Sequence, residues 1–226
     1  LEGKPTAVVN RLPGHHHLAP DNAHAASVGE VLARMHLAGA DFAERQPNLR
    51  GLAWWVETVP VVVPFVDAAQ AQMLEDELAY QQQLAASAAY AGLPRGPIHA
   101  DLFRDNVMFE GDALTGLFDF YFAGVDTLLF DIAVCLNDWC IDIDSGRMVE
   151  ERAGAFVDAY GRVRRLDGTE LRLLPALMRA AALRFWISRL WDLHLPRDAA
   201  VLTAHDPTHF ERVLAQRRAA PWHPNR

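Results

Sequence analysis

The sequence lacks any concentration of basic residues. Its 226 residues include 21 Lys and Arg against 29 Asp and Glu, which gives a formal net charge of −8. A protein that binds the backbone of a nucleic acid needs a concentrated basic face to neutralise phosphate charge. The composition therefore argues against a nucleic-acid partner.

Cysteine and long apolar runs are also scarce. Only Cys135 and Cys140 are present, in an apolar stretch with helical character, and neither a CxxC redox motif nor a zinc motif occurs. We expect reduced core cysteines in a cytoplasmic protein. The longest apolar runs, such as 59–66, contain proline and are too short to cross a membrane, so we expect no membrane partner.

The chain begins at Leu1 rather than at methionine. The stretch from Pro5 to Leu12 is rich in β-branched residues and is typical of a strand, but a strand needs a partner and no earlier strand is present. We therefore expect further residues upstream. The triplet from His15 to His17 has no matching acidic or cysteine partner, which favours an exposed loop over a metal site.

Helical periodicity dominates most of the chain. Asp21 is a candidate cap and Gly39 a candidate stop for the first helix. The segment 46–64, with three prolines and two tryptophans, is expected to be an irregular connection. The absence of proline and glycine from 67–91 predicts one long helix. Further helices are predicted at 128–141, 148–163, 170–195 and 207–218.

A short β-rich insert interrupts these helices. Residues 98–100, 106–109 and 114–118 are predicted to be extended, with a turn at 110–112. The fold class is therefore α+β, with a helical body and a β-hairpin insert. Functional residues are often found on such loops held by a rigid scaffold.

The insert carries four polar groups of distinct chemistry. His99, Asp101 and Asn106 lie within HADLFRDN, and Asp119 follows the predicted hairpin. Phosphoryl transfer requires a carboxylate that accepts a hydroxyl proton, and oxygen ligands that hold Mg²⁺ against nucleotide phosphates. Because a hairpin brings its two ends together, we expect Asn106 and Asp119 to be neighbours. Alternatively, an Asp and an Asn near turns make only local backbone hydrogen bonds.

The pattern HxDxxxxN, followed by a hairpin and an aspartate, resembles the aminoglycoside phosphotransferase and choline kinase superfamily, whose fold is similar to that of protein kinases. The resemblance implies ATP and Mg²⁺ as cofactors. It implies Asp101 as the catalytic base, Asn106 and Asp119 as metal ligands, and His99 as a brace for the loop. A histidine beside a catalytic aspartate can also be a second base, so His99 is a candidate catalytic residue as well. Asp131 resembles the aspartate of that family that hydrogen-bonds to the catalytic-loop backbone.

A narrower resemblance covers nearly the whole chain. The blocks HADLFRDNVMF, GLFDFYFAGVDT, FDIAVCLNDWC and LRFWISRLWD look like those of bacterial type II homoserine kinases. This resemblance implies ATP-dependent phosphorylation of L-homoserine, a step of threonine biosynthesis. Residues 1–14 would then be the end of a small β lobe and its hinge, with Arg11 and Leu12 at the adenine. Residues 15–226 would be the helical C-terminal lobe, and most of the small lobe is missing from this chain.

The acceptor site is less defined by the sequence. Arg184 and Arg189 lie on one predicted helix, where a guanidinium could clamp the carboxylate of an amino acid or belong to a structural network. Asp138 and Trp139 are further candidates for acceptor contacts. Two alternatives stay open: a related kinase for choline, an aminoglycoside, a fructosamine or methylthioribose, and a pseudokinase-like binding module without catalysis.

Overall fold

A computed structural model describes residues 9–43, 46–195 and 205–224 of the chain. Within these ranges the fold is mainly helical, with a few short antiparallel strands, which confirms the predicted α+β class. The helices are α1 (Asn22–Ala38), α2 (Leu52–Val62), α3 (Ala68–Ala85), α4 (Ala88–Ala91), α5 (Leu128–Trp139), α6 (Glu150–Val163), α7 (Gly168–His194) and α8 (Thr208–Ala219). The strands are β1 (Arg95–Ile98), β2 (Val107–Glu110), β3 (Ala113–Leu117) and β4 (Gly124–Thr127).

Aspartate caps start several of these helices. The side chains of Asp21, Asp67 and Asp167 each accept hydrogen bonds from backbone N–H groups in the first turn of α1, α3 and α7. These bonds satisfy donors that have no partner inside the helix. The predicted start of α1 at Asp21 and its end at Gly39 are confirmed.

Helix α5 lies at the centre of the helical body. All twelve of its residues are buried, as expected for a helix that is covered on every side. It packs against α7, while α1 packs against α6, and α8 covers another part of α7. The end of α5 therefore provides a rigid base for the loops that approach it.

The prediction of an irregular connection over 46–64 is wrong, because α2 occupies most of that segment. Trp55, Val59 and Val62 recur at helical spacing and are buried, and each buried side chain stabilises the fold by about 1.5–3 kcal/mol. Together these contributions exceed the cost of roughly 3 kcal/mol for Pro60 in the last turn. Tertiary burial thus outweighs the proline signal.

The long helix predicted over 67–91 is divided into α3 and α4. The hydroxyl of Ser87 donates to the carbonyl of Leu84 and accepts from the N–H of Tyr90. A serine side chain that bonds to nearby backbone groups offers the chain an alternative to continuing the helix. The helices predicted at 128–141, 148–163, 170–195 and 207–218 are confirmed with small shifts of their ends.

The strands form two small antiparallel pairs. Strands β2 and β3 form the predicted hairpin, with a bulge between Met108 and Phe109. Strand β1 begins before the predicted run 98–100 and pairs with β4, which the sequence analysis did not predict. The backbone of His15 exchanges two hydrogen bonds with Phe109, so the segment after Leu12 joins the hairpin.

The remaining predictions concern the first strand, the histidine triplet, the cysteines and membrane-spanning helices. Residues 5–8 of the predicted first strand lie outside the described ranges, and 9–12 have no regular secondary structure. His15 and His16 are exposed as predicted, but His17 is half-buried against the ring of His24. Both cysteines are buried and free. Among the described helices none has the length and apolarity to cross a membrane.

Gly29 tests the close contact between α1 and α6. A Cβ atom at Gly29 would lie 2.3 Å from the carbonyl oxygen of Phe156, so Gly29→Ala forces the two backbones apart. We expect a loss of about 1–3 kcal/mol in the free energy of unfolding, measured by urea denaturation. Gly154→Ala is the control, because nothing lies within 4 Å of its added Cβ. That helical substitution should raise stability by about 0.5–1 kcal/mol, and equal effects of both substitutions would contradict the tight contact.

Candidate active site

A loop between β1 and β2 carries the predicted base, and Asp131 of α5 holds its start. The two carboxylate oxygens of Asp131 accept hydrogen bonds from the N–H groups of His99 and Ala100, each at 2.8 Å. Ala100 has a φ of 63°, a left-handed conformation that costs energy for a residue with a Cβ. The two bonds to Asp131 stabilise that conformation and direct the chain into Asp101.

Asp131 is itself part of a buried hydrogen-bonded chain. His36 of α1 lies 3.1 Å from its carboxylate and 2.8 Å from the hydroxyl of Tyr160 on α6. Burial alone would raise the pKa of Asp131, but the hydrogen bond from His36 and the loop N–H groups bring the pKa below its ordinary value. The carboxylate is therefore ionised at neutral pH and joins three helices to the loop.

A second clamp holds the middle of the loop. The carboxylate of Asp138 accepts from the backbone N–H of Arg104 at 2.8 Å and from its guanidinium at 3.2 Å. The indole of Trp139 donates to the carbonyl of Leu102 at 2.9 Å. Both side chains, predicted as acceptor contacts, are thus buried and engaged with the loop. Arg104 was not among the predicted site residues, although it lies inside the HADLFRDN block.

Asp101 emerges from this clamped loop toward solvent. Its side chain keeps 17% of its exposure, and burial raises its pKa above the ordinary value, while the charges of Arg184 and His99 oppose that shift. The amide of Asn106 donates to the backbone carbonyl of Asp101 at 2.8 Å. A partly exposed carboxylate in a fixed position can accept a proton from a bound hydroxyl group.

His99 connects the start of the loop to the hairpin. Its side chain is buried, and Nε2 lies 2.9 Å from the carbonyl oxygen of Phe118. The ring also packs against Phe120 at 4.6 Å between centroids. These contacts fit a brace that fixes the loop relative to the hairpin.

The hairpin brings the two predicted metal ligands to one region. The N–H of Phe118 donates to the carbonyl of Asn106 at 3.1 Å, and Asp119 follows in a left-handed conformation with its side chain exposed. Asp119 and Asp105 both raise the pKa of Asp101 through charge repulsion, so three carboxylates share this region.

This group of oxygen atoms fits a hard divalent cation. The amide nitrogen of Asn106 is engaged with the loop, which leaves its carbonyl oxygen as the ligand atom, and carboxylate and amide oxygens are the ligands that Mg²⁺ prefers. Across the described ranges no cluster of three or more His, Cys, Asp or Glu side chains is arranged to hold a metal by itself.

Arg184 of α7 contacts the predicted base, whereas the hydrogen bond of Arg189 is made to Asp206. The Nη1 atom of Arg184 lies 3.5 Å from the carboxylate of Asp101, and its guanidinium packs over the rings of Phe122 and Phe185. Arg184 is 2% exposed and its Nε has no hydrogen-bond partner. Arg189 instead donates to the backbone carbonyl of Asp206.

A second arginine, not predicted from the sequence, lies near Arg184. Arg50 packs over the ring of Trp54 at 4.3 Å and near that of Phe122 at 5.8 Å. Burial lowers the pKa of Arg184 to about 10, and the charge of Arg50 contributes in the same direction. Both guanidinium groups thus flank Phe122, which gives positive charge beside Asp101.

The predicted adenine contacts lie on the hairpin side of the loop. Leu12 packs directly on Gly116, because a Cβ at that glycine would lie 2.6 Å from a methyl carbon of Leu12. Arg11 is exposed. The hydroxyl of Thr115 donates to the carbonyl of Pro13 at 2.6 Å, so this segment is fixed along β3.

Comparison with known proteins gives a consistent family. The profile of the phosphotransferase enzyme family (APH) matches residues 1–174. The chain is 64% identical to the homoserine kinase of Polaromonas naphthalenivorans, over 98% of this chain and 70% of that protein. It is 57% identical to the homoserine kinase of Cupriavidus taiwanensis, over 96% of this chain but 66% of that protein. The chain therefore spans about two thirds of the length of these relatives.

Solved structures with the same fold are more distant in sequence. An amicoumacin kinase in complex with AMP-PNP, Ca²⁺ and Ami is 17% identical, with a TM-score of 0.63 over 93% of this chain and 64% of that one. A choline/ethanolamine kinase family protein from Mesorhizobium loti is 16% identical, with a TM-score of 0.61 over 86% of this chain and 61% of that one. At such identities the likeness shows the fold, and it confirms the predicted kinase-like architecture.

Asp131 makes a testable contribution to stability. We expect Asp131→Asn to lower the free energy of unfolding by about 2–4 kcal/mol at pH 7, because an amide presents a donor to partners that donate. The folded-state pKa is below the ordinary 3.8, so the contribution is complete above that pH and is lost as the pH falls through the folded-state value.

Urea denaturation of the wild type and of Asp131→Asn between pH 7 and pH 3 measures this dependence. The difference between the two proteins should shrink toward the acidic end. Asp158→Asn is the control, since Asp158 is exposed and has no ion pair in the described part of the chain. A difference that is small at pH 7, or constant with pH, would contradict the role of the Asp131 charge.

Proposed function

Because the chain belongs to the phosphotransferase enzyme family, we propose that its protein transfers the terminal phosphoryl group of ATP to the hydroxyl group of L-homoserine. The observation that carries the reaction type is the position of Asp101, a partly exposed carboxylate on a loop fixed by two buried aspartates. The identity of 64% with a homoserine kinase supports the acceptor. We further propose that this reaction takes place in the cytoplasm and leads toward threonine.

Asp101 is the general base in this proposal. Its carboxylate accepts a hydrogen bond from the acceptor hydroxyl and takes the proton as the oxygen attacks the phosphorus atom. The hydrogen bonds to Asp131 and Asp138 keep the Asp101 carboxylate in one position. Such positioning of the reacting groups provides a large share of the rate enhancement in phosphoryl transfer. His99 is a positioning residue that fixes the loop to the hairpin.

Asn106 and Asp119 would hold Mg²⁺. Their oxygen atoms lie at the two ends of the hairpin, in a region that already carries the negative charges of Asp101 and Asp105. When bound, the cation neutralises charge on the nucleotide phosphates. Without it, these carboxylates would repel the phosphates, so the charge distribution supports a cation at this position.

The segment that contains Arg11 and Leu12 would contact the adenine of ATP. In this proposal, residues 1–14 are the end of a small lobe and its hinge, and 15–226 form the helical lobe. The packing of Leu12 on Gly116 and the bond between Thr115 and Pro13 support it, because they fix the segment beside the hairpin that carries the metal ligands.

Arg184 is our choice for the group that binds the carboxylate of the acceptor. It lies next to Asp101, has an unused donor and has the charge of Arg50 nearby. A carboxylate is a better partner for these guanidinium groups than the quaternary ammonium of choline. Asp138 and Trp139 then act on the acceptor indirectly, through the loop that they hold. Arg189, which donates to the carbonyl of Asp206, has no contact with the acceptor in this proposal.

The first test of the base is Asp101→Asn. We expect the variant to fold normally and to lose roughly two to four decades in kcat, since the amide cannot take the proton. ADP release with Mg-ATP and L-homoserine measures turnover, and circular dichroism checks the fold. Asp144→Asn, an exposed substitution outside the site, should retain wild-type turnover. Near-normal turnover of Asp101→Asn would remove it from the role of base.

The acceptor is tested with the full-length wild-type protein and a panel of L-homoserine, choline, an aminoglycoside and methylthioribose. Acceleration of ADP release by homoserine alone supports the proposal. Preference for another acceptor would keep the reaction type and replace the substrate. No acceleration of ADP release by any of the four acceptors would favour a binding module without catalysis.

Arg184→Met tests selection of the carboxylate. We expect kcat/KM for L-homoserine to fall about 10- to 100-fold, through KM, while activity with 3-aminopropan-1-ol, which lacks the carboxylate, changes little. Arg189→Met is the matched control on the same helix and should preserve the preference for homoserine. Equal losses with both acceptors would mean that Arg184 supports Asp101 and does not bind the acceptor.

A further inference from the structure

A cavity of about 360 Å³ lies away from the catalytic loop, between the start of α6 and the end of α8. Its volume is within the range of about 300–1,000 Å³ that is usual for small-molecule sites. None of its lining residues belongs to the loop or the hairpin. The lining consists of Arg147, Met148, Glu150, Gln216, Arg217, Ala220, Pro221, Trp222 and His223.

Arg217 is a buried cation with no carboxylate partner among the residues that the structure describes. It is 2% exposed, and its guanidinium donates to two neutral oxygens, the side-chain oxygen of Asn137 at 3.1 Å and the carbonyl of Gly146 at 3.0 Å. The ion pairs of the described ranges include no carboxylate within 4.0 Å of it. Burial lowers the pKa of Arg217 to about 10. A buried charge that is not paired destabilises a fold, so an anion beside it would offset that cost.

Two further groups give the same cavity a positive character. Arg147 lines it from an exposed turn and has no ion pair in the part of the chain that the structure describes. Helix α6 begins at Glu150, and its N-cap residue Val149 makes no side-chain cap. Its first N–H groups therefore receive no bond from a capping side chain, although Glu150 and Glu151 lie in the same first turn. Glu150 is the one carboxylate among the lining residues, which also include the two arginines Arg147 and Arg217.

We propose that this cavity binds a small anion, with a carboxylate or phosphate group paired to the guanidinium of Arg217. Arg147 and the N–H groups at the start of α6 complete the polar side, because both favour negative charge. Met148 and Trp222 provide an apolar wall for the remainder of the ligand. The site is independent of the proposed reaction, since it uses none of the residues assigned to it.

The position of Arg217 connects the cavity to the support of the catalytic loop. Arg217 bonds to Asn137, which directly precedes Asp138 and Trp139 in the last turn of α5. Those two side chains hold Arg104 and Leu102 of the loop. An anion at Arg217 therefore stabilises the same turn from the opposite side, and binding should raise the unfolding temperature of the protein.

The test is calorimetric titration of the full-length protein, together with thermal unfolding, using inorganic phosphate, acetate and neutral acetamide at constant ionic strength. We expect at least one of the two anions to bind with a Kd of about 1 mM or tighter and acetamide not to bind. Arg217→Met should weaken that binding at least 10-fold and abolish the rise in unfolding temperature. A preference for phosphate or for acetate identifies the ligand group.

Two variants separate this site from other anion contacts. Arg218→Met is the matched control, because Arg218 is the next residue of α8 but bonds to Asp76 and Met73 outside the cavity. It should bind anions as the wild type does. Arg147→Met removes an exposed side chain and should weaken anion binding several-fold with the fold intact. If Arg217→Met does not fold, the Arg147→Met variant alone tests whether anions bind in this cavity. Anion binding that both cavity variants retain, or its absence from the wild type, would overturn the proposal.

Discussion

The two hydrogen bonds that Asp131 accepts from the catalytic loop are the constraint on which the site depends. They hold Ala100 in a left-handed conformation, which directs Asp101 outward at the end of β1. An ionised carboxylate is needed, because both partners donate, and His36 contributes to keeping it ionised inside the core. The helical body thus fixes the carboxylate of Asp131, and Asp131 fixes the loop that carries Asp101.

The fold and the core of the site were largely predictable, because both depend on local patterns. Asp21 and Gly39 mark a helix by their chemistry, and the turn at 110–112 marks the hairpin that brings Asn106 and Asp119 to one region. Helix α2 was not predictable in this way, since its stability comes from burial against α7, which the sequence around Pro60 does not reveal.

The surroundings of Asp101 were also beyond sequence reasoning. Arg50 and Arg184 are far apart in the chain and meet through the packing of α2 and α7 around Phe122. The engagement of Asp138 and Trp139 with the loop depends on where α5 ends, whereas their position in the sequence soon after the hairpin made them candidates for the acceptor. Long-range contacts of this kind have no periodic signal. An acidic chain can therefore carry a local pair of buried or partly buried arginines that its net charge of −8 does not reveal.

The pairing of His15 with Phe109 has a consequence for the distance between the two proposed contacts of the nucleotide. The segment proposed to meet the adenine and the strand that leads from Asn106 are joined by two backbone hydrogen bonds into one small sheet. In the proposed function, the distance between the adenine contact and the metal ligand Asn106 is therefore fixed inside one backbone unit. A change elsewhere in the protein would leave that distance unchanged as long as these two hydrogen bonds are kept.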